Sequence, residues 1–430
     1  MTTTYDHGIT LCAFFVQRLR EWRYVLILLG VCAMSLALSG CKHRNLTRET
    51  PQMNAEKKYW IRVRLHRRMT QCWFKTSEEV TVTSNESKPV TLSVPKAGLS
   101  LGLKNTVVTL GDARFEGHDV TISPDKPYVF RVDDQPYRGR LRVVVDPEKQ
   151  TFDLINEVPL EAYLAGVVGS EMPPYWEPEA LKVQAVVART YCMYVKERFG
   201  KNRHWDVSRT QAHQMYRGID AESAQVWEAV LGTTGQIVKT KDMAGNEVTF
   251  PAYYSSICGG HTQNSKYVFG DSYVSLQGVP CPYCQHVAKL GQFFWPMAVY
   301  DKSDISDRLT KRYSALKKIA PIVHIEPVIQ TESHEYTRLT RVKLIGANGK
   351  SDSLRAEDFR LSIDPTGRVI KSTMCRLEDW DDQWAFVEGR GWGHGVGLCQ
   401  CGAQWLARQG QSYIEILQYY YPECKQEQLY

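Results

Sequence analysis

A single acidic side chain, Glu171, stands in "VVGSEMPPYW" (167–176), between small residues and a Pro-Pro-aromatic corner. Prolines fix the backbone and cannot continue a helix, so the preceding element must stop there. A carboxyl held against aromatic surface loses solvation, its charged form is disfavoured, and it becomes a candidate proton donor. The same position also suits an ordinary helix-terminal or surface carboxylate. A second constellation is built on sulfur. After Cys41 the chain carries Cys72, Cys192, Cys258, Cys281, Cys284, Cys375, Cys399, Cys401 and Cys424. "CGGH" and "CPYC" give Cys258-x2-His261 and Cys281-x2-Cys284 with 19 residues between them, the spacing of a zinc-ribbon site. The alternative is a disulfide involving Cys258, Cys281 or Cys284 in an oxidising envelope. A third stretch, "GRGWGHGVGLCQ", alternates glycine with Trp392 and His394 and ends on Gln400. Trp392 offers a flat face to a sugar ring, and His394 and Gln400 offer polar contacts. A purely structural loop under a cleft would look the same. No strand precedes this stretch and no Lys-Ser/Thr closes it, which argues against a phosphate-binding loop.

The elements that must position these groups are mixed. At 430 residues the chain exceeds one compact core, and 43% hydrophobic content excludes wholesale disorder. A net charge of +6 is modest, and no basic stripe with interleaved aromatics marks nucleic-acid binding, so no nucleic-acid partner is expected. Arg18, Arg20 and Arg23 precede the uncharged run "YVLILLGVCAMSLALSGC". This is the layout of a secretory signal, 1–41, and its closing "LSGC" resembles a lipobox, in which cleavage before Cys41 would free it for lipidation. An uncleaved signal anchor is the alternative. Either places the body outside the cytoplasm, at the cell envelope, with the membrane as partner through its anchor. Residues 42–58 read as a basic tether.

From 59 to 154, short apolar alternations broken by Gly, Pro, Asp and Asn predict a β-rich domain. "NEVPLEAYLAGVVG" predicts a helix from Pro159 to Gly169 that delivers the chain to Glu171. A second helix begins at Pro178 and ends at Gly200. Its buried stripe comprises Leu181, Ala185, Ala188, Cys192 and Val195, with Arg189 beside it. A third opens at Asp220 and closes at Gly232. Strands return in "GQIVKT", "EVTFPAYYSSI", "IVHIEPVI" and "TRLTRVKLIG", and two helices follow the Gly-rich loop, the second with a Ser412/Glu415 capping box. The expected class is α+β: a β-rich N-terminal domain, then helices packed on antiparallel strands in a core at 155–295, a β-rich insertion at 296–375 and a closing segment at 376–430.

"VPLEAYLAGVVGSEMP", "EALKVQAVVARTY", "HQMYRG", "YYSSICGGHT" and "GRGWGHGVGLCQCGAQWLARQG" resemble the successive blocks of the stage II sporulation protein D family, which includes amidase enhancers. The resemblance implies a lytic transglycosylase acting on peptidoglycan glycan strands, probed best with peptide-free strands. It implies Glu171 as catalytic acid and Arg189 in the substrate cleft, where a helix-face salt bridge is Arg189's alternative role. It places His213 and Gln214 on the substrate side. The enhancer branch implies instead a non-catalytic partner that stimulates an amidase. Some clostridial members carry a His/Cys zinc cluster before the "QxY" block. This chain has His204 and His213 there but no Cys between 193 and 257, which leaves the metal to the cysteine knuckles or the histidines to substrate.

Overall fold

A computed structural model describes residues 53–329 and 337–430. The expected leader 1–41, the expected lipidation residue Cys41 and the expected tether up to residue 52 lie outside the described residues.

The strand Trp60–Met69 alternates buried Ile61, Val63 and Leu65 with arginines and His66, the two-residue period of a sheet with one face in the core. It pairs antiparallel with Thr151–Pro159 and parallel with Val207–Ser208. Among the described residues these belong to a seven-stranded sheet, packed with a six-stranded sheet to form the expected β-rich region. The expected boundary at 154/155 falls inside the strand Thr151–Pro159, and Val207–Ser208 extends the same sheet. Residues on both sides of that boundary therefore share one sheet, and the described residues fall in one compact unit.

The strand Thr151–Pro159 runs straight into the helix Leu160–Glu171. Pro159 is its N-cap, not its first turn, and Glu171 is its last residue. Gly169 does not mark the exit. A Cβ there would sit 1.8 Å from the Ala221 carbonyl oxygen, so glycine is what lets the two segments touch. Residues 160–168 are all buried, which is why this helix shows no amphipathic stripe. The helix Pro178–Phe199 starts with proline at its first turn and buries Leu181, Ala185, Ala188, Cys192 and Val195 as the spacing predicts. The next helix, Ala224–Leu231, begins later than Asp220: a 3-10 turn, Gly218–Ala221, comes first, and Ser223 Oγ caps the Val226 N–H.

The 296–375 insertion has its own core, in which Trp295, Ile305, Leu309, Val342, Leu344 and Phe359 meet Trp384 and Phe386. That core reaches past residue 375 because Gln383–Val387 pairs with both Ala298–Asp301 and Arg376–Trp380. The closing helices Gln400–Arg408 and Tyr413–Tyr420 form as expected, the second with its reciprocal Ser412/Glu415 box. Helices and several sheets together make the α+β class.

Candidate functional site

Glu171 ends its helix at the proline corner, where Trp176 N–H donates to the Pro173 carbonyl at 3.0 Å and Glu177 N–H to Gln404 Oε1 at 2.9 Å. The corner is therefore fastened to the closing helix. The residue is half-buried. Its Oε1 accepts from Met215 N–H at 2.9 Å and from Tyr254 O–H at 3.2 Å, and Gln400 supplies a further side-chain hydrogen bond. Desolvation is the largest influence and pushes the carboxyl above its ordinary range, against the opposing pull of these donors. The helix C-terminus adds to the preference for the neutral acid, because its carbonyls carry partial negative charge.

The donors are themselves held. Tyr163 O–H donates to Gln214 Oε1 at 3.1 Å, and Gln214 Nε2 donates to the Ala188 carbonyl at 3.2 Å and to Tyr254 Oη at 3.3 Å. Gln214 is thus buried and orients Tyr254; it does not face substrate as expected. Tyr254 sits on a two-residue strand paired in parallel with Leu398–Cys399, so one ladder sets both Tyr254 and the residue before Gln400. Gln400 Nε2 donates to Gln184 Oε1 at 3.3 Å.

Arg189 is a correction. It is fully buried and pairs in bidentate fashion with Glu161, Nε–Oε1 3.0 Å and Nη2–Oε2 2.5 Å, with Nη1 on the Gln236 carbonyl at 2.9 Å. Glu161 also takes Gly235 N–H and Tyr430 O–H. No guanidinium nitrogen is left to reach a glycan, and Arg189 acts as the internal salt bridge that was its other sequence reading.

His213 lines a cavity of about 330 Å³ together with Tyr191, Tyr194, Tyr253, Phe269 and Asp271. Tyr253 stacks on Phe269 at 3.9 Å and donates to Asp271 Oδ2 at 2.8 Å, while Asp271 Oδ1 is buried without a partner. Burial and the neighbouring Arg203 and Arg64 lower His213 to about 4, so the ring is neutral near pH 7. His394 is likewise lowered to about 4, chiefly by burial. It accepts Val396 N–H at 3.0 Å and bonds the Tyr254 backbone. Trp392 is partly exposed, with Lys371 Nζ 5.1 Å from its ring centre. Its backbone exchanges hydrogen bonds with Ile257, and at Gly391, φ +75°, a Cβ would lie 2.6 Å from the Ile257 oxygen. This glycine serves close backbone packing.

Sequence spacing missed one sulfur. Cys258, Cys281, Cys284 and Cys399, all buried, hold their sulfurs within 4.8 Å of one another and form a set able to ligate a metal ion. His261 is not part of it. Gly259 and Gly260 adopt φ +88° and +126°, and His261 Nδ1 lies 2.5 Å from the Thr262 carbonyl. Cys258 and Cys284 sulfurs are 3.7 Å apart, too far for a disulfide, near 2.05 Å, and close to the about 3.8 Å edge of a tetrahedron with zinc–sulfur bonds. Cys258 N–H donates to Cys399 Sγ at 3.2 Å. Hydrogen bonds from its three sulfur neighbours drive Cys284 far down toward the thiolate. The signal for Cys399 was its place in "GLCQC", brought to "SSIC" by the parallel strand pair. The signals for Tyr254 and Met215 lay within the blocks "YYSSIC" and "HQMY".

Residues 148–239, which contain Glu171 and the Gln214–Met215 pair, match the family described as SpoIID, stage II sporulation protein. A Brachyspira hyodysenteriae protein described only as uncharacterized is 32% identical over 68% of this chain and 72% of its own. Stage II sporulation protein D of Bacillus subtilis is 25% identical over 77% of this chain and 89% of its own. The chain belongs to the stage II sporulation protein D family. An amidase enhancer of Bacillus subtilis is 28% identical over 60% of this chain and 39% of its own length. In this member of the family, the acid, its tyrosine and its glutamine come from three separate chain regions that converge on one carboxyl group.

Proposed function

We propose that this protein is a peptidoglycan lytic transglycosylase in which Glu171 is general acid and then general base. The observation that carries the reading is one carboxyl, raised by burial and aligned by two donors on a single oxygen, on a residue that is half-buried. Glycoside hydrolysis ordinarily needs a second carboxylate to activate water or form a covalent intermediate. When the muramic acid 6-hydroxyl attacks its own anomeric carbon, the nucleophile is tethered and proximity takes that place. Glu171 protonates the leaving glycosidic oxygen as the C1–O bond breaks. As carboxylate it then removes the 6-hydroxyl proton while the 1,6-anhydro bond closes, which restores the acid. The aromatic cavity lined by Tyr253, the chain neighbour of Tyr254, and holding the unpaired Asp271 oxygen, supports an amino-sugar subsite, because that oxygen would accept from an acetamido N–H or a hydroxyl.

Zinc suits the four cysteine sulfurs in number, softness and spacing. Cys258, Cys281, Cys284 and Cys399 would hold it as a structural ion whose role is to cross-link the loop before Gln400. Cys41 would carry a lipid anchor, with the body at the cell envelope; label from a fatty acid should vanish in Cys41→Ser. A second reading, stimulation of an amidase without glycan cleavage, is favoured by the similarity to the amidase enhancer. Incubation with peptide-free strands separates them: anhydro-muramic ends support the enzyme, and intact strands with faster amidase turnover support the partner.

A further inference from the structure

A second cleft, about 480 Å³, opens between the strand Trp60–Met69 and the turn at 146–149, and none of its side chains touches Glu171. It is lined by Arg64, Arg67, Arg68, Lys149, His204 and Trp205. Its two wall carboxylates are already engaged. Asp146 takes the Lys149 ammonium, and Asp153 takes Arg68 N–H at 3.0 Å and His204 Nε2 at 3.1 Å. That leaves the three guanidinium groups with no carboxylate at salt-bridge distance among the described residues. Arg64 lies 4.0 Å over the Trp205 ring and Arg203 lies 4.6 Å over it, so one indole spaces two cations. Burial disfavours the Arg64 charge most; Asp153 offsets part of this, and Arg67 and Arg203 add repulsion.

Like charges gathered in a concave place repel one another and attract an anion that neutralises them. Guanidinium forks match the paired oxygens of carboxylate or phosphate. The cleft wall also continues toward Glu171: Trp205 meets His213 edge-on at 5.7 Å, and His213 stands two residues before the Met215 N–H that holds Glu171. A concave cleft takes a chain better than it takes a flat bilayer surface. We infer that this cleft is an exosite for an acidic glycan polymer, reading oxyanions spaced along the chain and leading it toward the aromatic cavity. Naming a glycan rests on the transglycosylase reading; affinity for its oxyanions does not.

The test is equilibrium binding by the full chain carrying Glu171→Gln, with and without the double charge reversal Arg67→Glu and Arg68→Glu. The probes are peptide-free glycan strands with lactyl carboxylates, a phosphodiester-linked glycopolymer and a neutral chitin oligosaccharide. Both acidic polymers should bind in a salt-sensitive way, and the reversal should weaken that binding about tenfold or more at low salt without moving the melting temperature. Tighter binding of one acidic probe identifies carboxylate or phosphate as the natural oxyanion, and the neutral oligosaccharide should not respond to the reversal. Arg67→Lys with Arg68→Lys should retain most of the affinity. Unchanged binding in the reversal variant, or equal salt-insensitive binding of neutral and acidic probes, overturns the exosite. Charge-dependent binding of strands that the native chain leaves uncut would sink the transglycosylase reading and leave the exosite standing.

Discussion

On the proposed mechanism Glu171 meets two opposed demands: it must stay protonated to donate, and it must accept hydrogen bonds to stay in place. Desolvation raises it, whereas Met215 N–H, Tyr254 O–H and Gln400 lower it. Glu171→Gln keeps an oxygen for both donors on Oε1 but loses the proton. Turnover on glycan should fall about a hundred- to ten-thousand-fold with the fold unchanged by circular dichroism. The linkage has a definite sign. The folded carboxyl lies above its unfolded value, so its contribution to stability is full below the unfolded value and is lost as pH rises through the folded one. Glu171→Gln should therefore lose this part of the decline in melting temperature on the alkaline side, which a pH series of thermal melts reads. Tyr254→Phe removes a donor that lowers the acid, so the alkaline limb of the rate profile should move to higher pH. His213 and His394, both near 4, predict no histidine-like inflection between pH 6 and 7.

Elements show why some placements could be read from sequence and others could not. The proline corner announced Glu171 because proline acts locally, and the 4-3-4-3 stripe of Pro178–Phe199 announced its buried face for the same reason. Arg189 sits beside that stripe, and only the packing of Leu160–Glu171 against it shows that Glu161 meets the guanidinium. The partners are 28 residues apart, a pairing that no local periodicity encodes. Arg189→Ala leaves Glu161 buried without its cation and should cost about 3–5 kcal/mol in denaturant unfolding. Substrate KM of the protein that still folds should stay near native, whereas a cleft residue would raise it. Cys399 was illegible by the same logic: it reaches Cys258 across 141 residues through a two-residue parallel ladder too short to leave an alternation pattern.

Across the molecule, the cysteine set ties the middle of the chain to its closing segment next to Gln400, so the acid site depends on a long-range closure. The full chain should carry one zinc per molecule by elemental analysis. Chelation or Cys399→Ser should remove the metal and lower the melting temperature by several degrees, a readout separate from turnover. The basic cleft and the aromatic cavity meet through the Trp205–His213 ring contact, an arrangement suited to the chain-like substrate proposed. The most direct test of the central claim is digestion of peptide-free glycan in heavy-oxygen water, with the new muramic ends read by mass spectrometry. A tethered hydroxyl predicts anhydro ends with no heavy oxygen, formed by the native chain and absent with Glu171→Gln. Heavy oxygen at a reducing muramic end, or identical fragments from the glutamine variant, would contradict it.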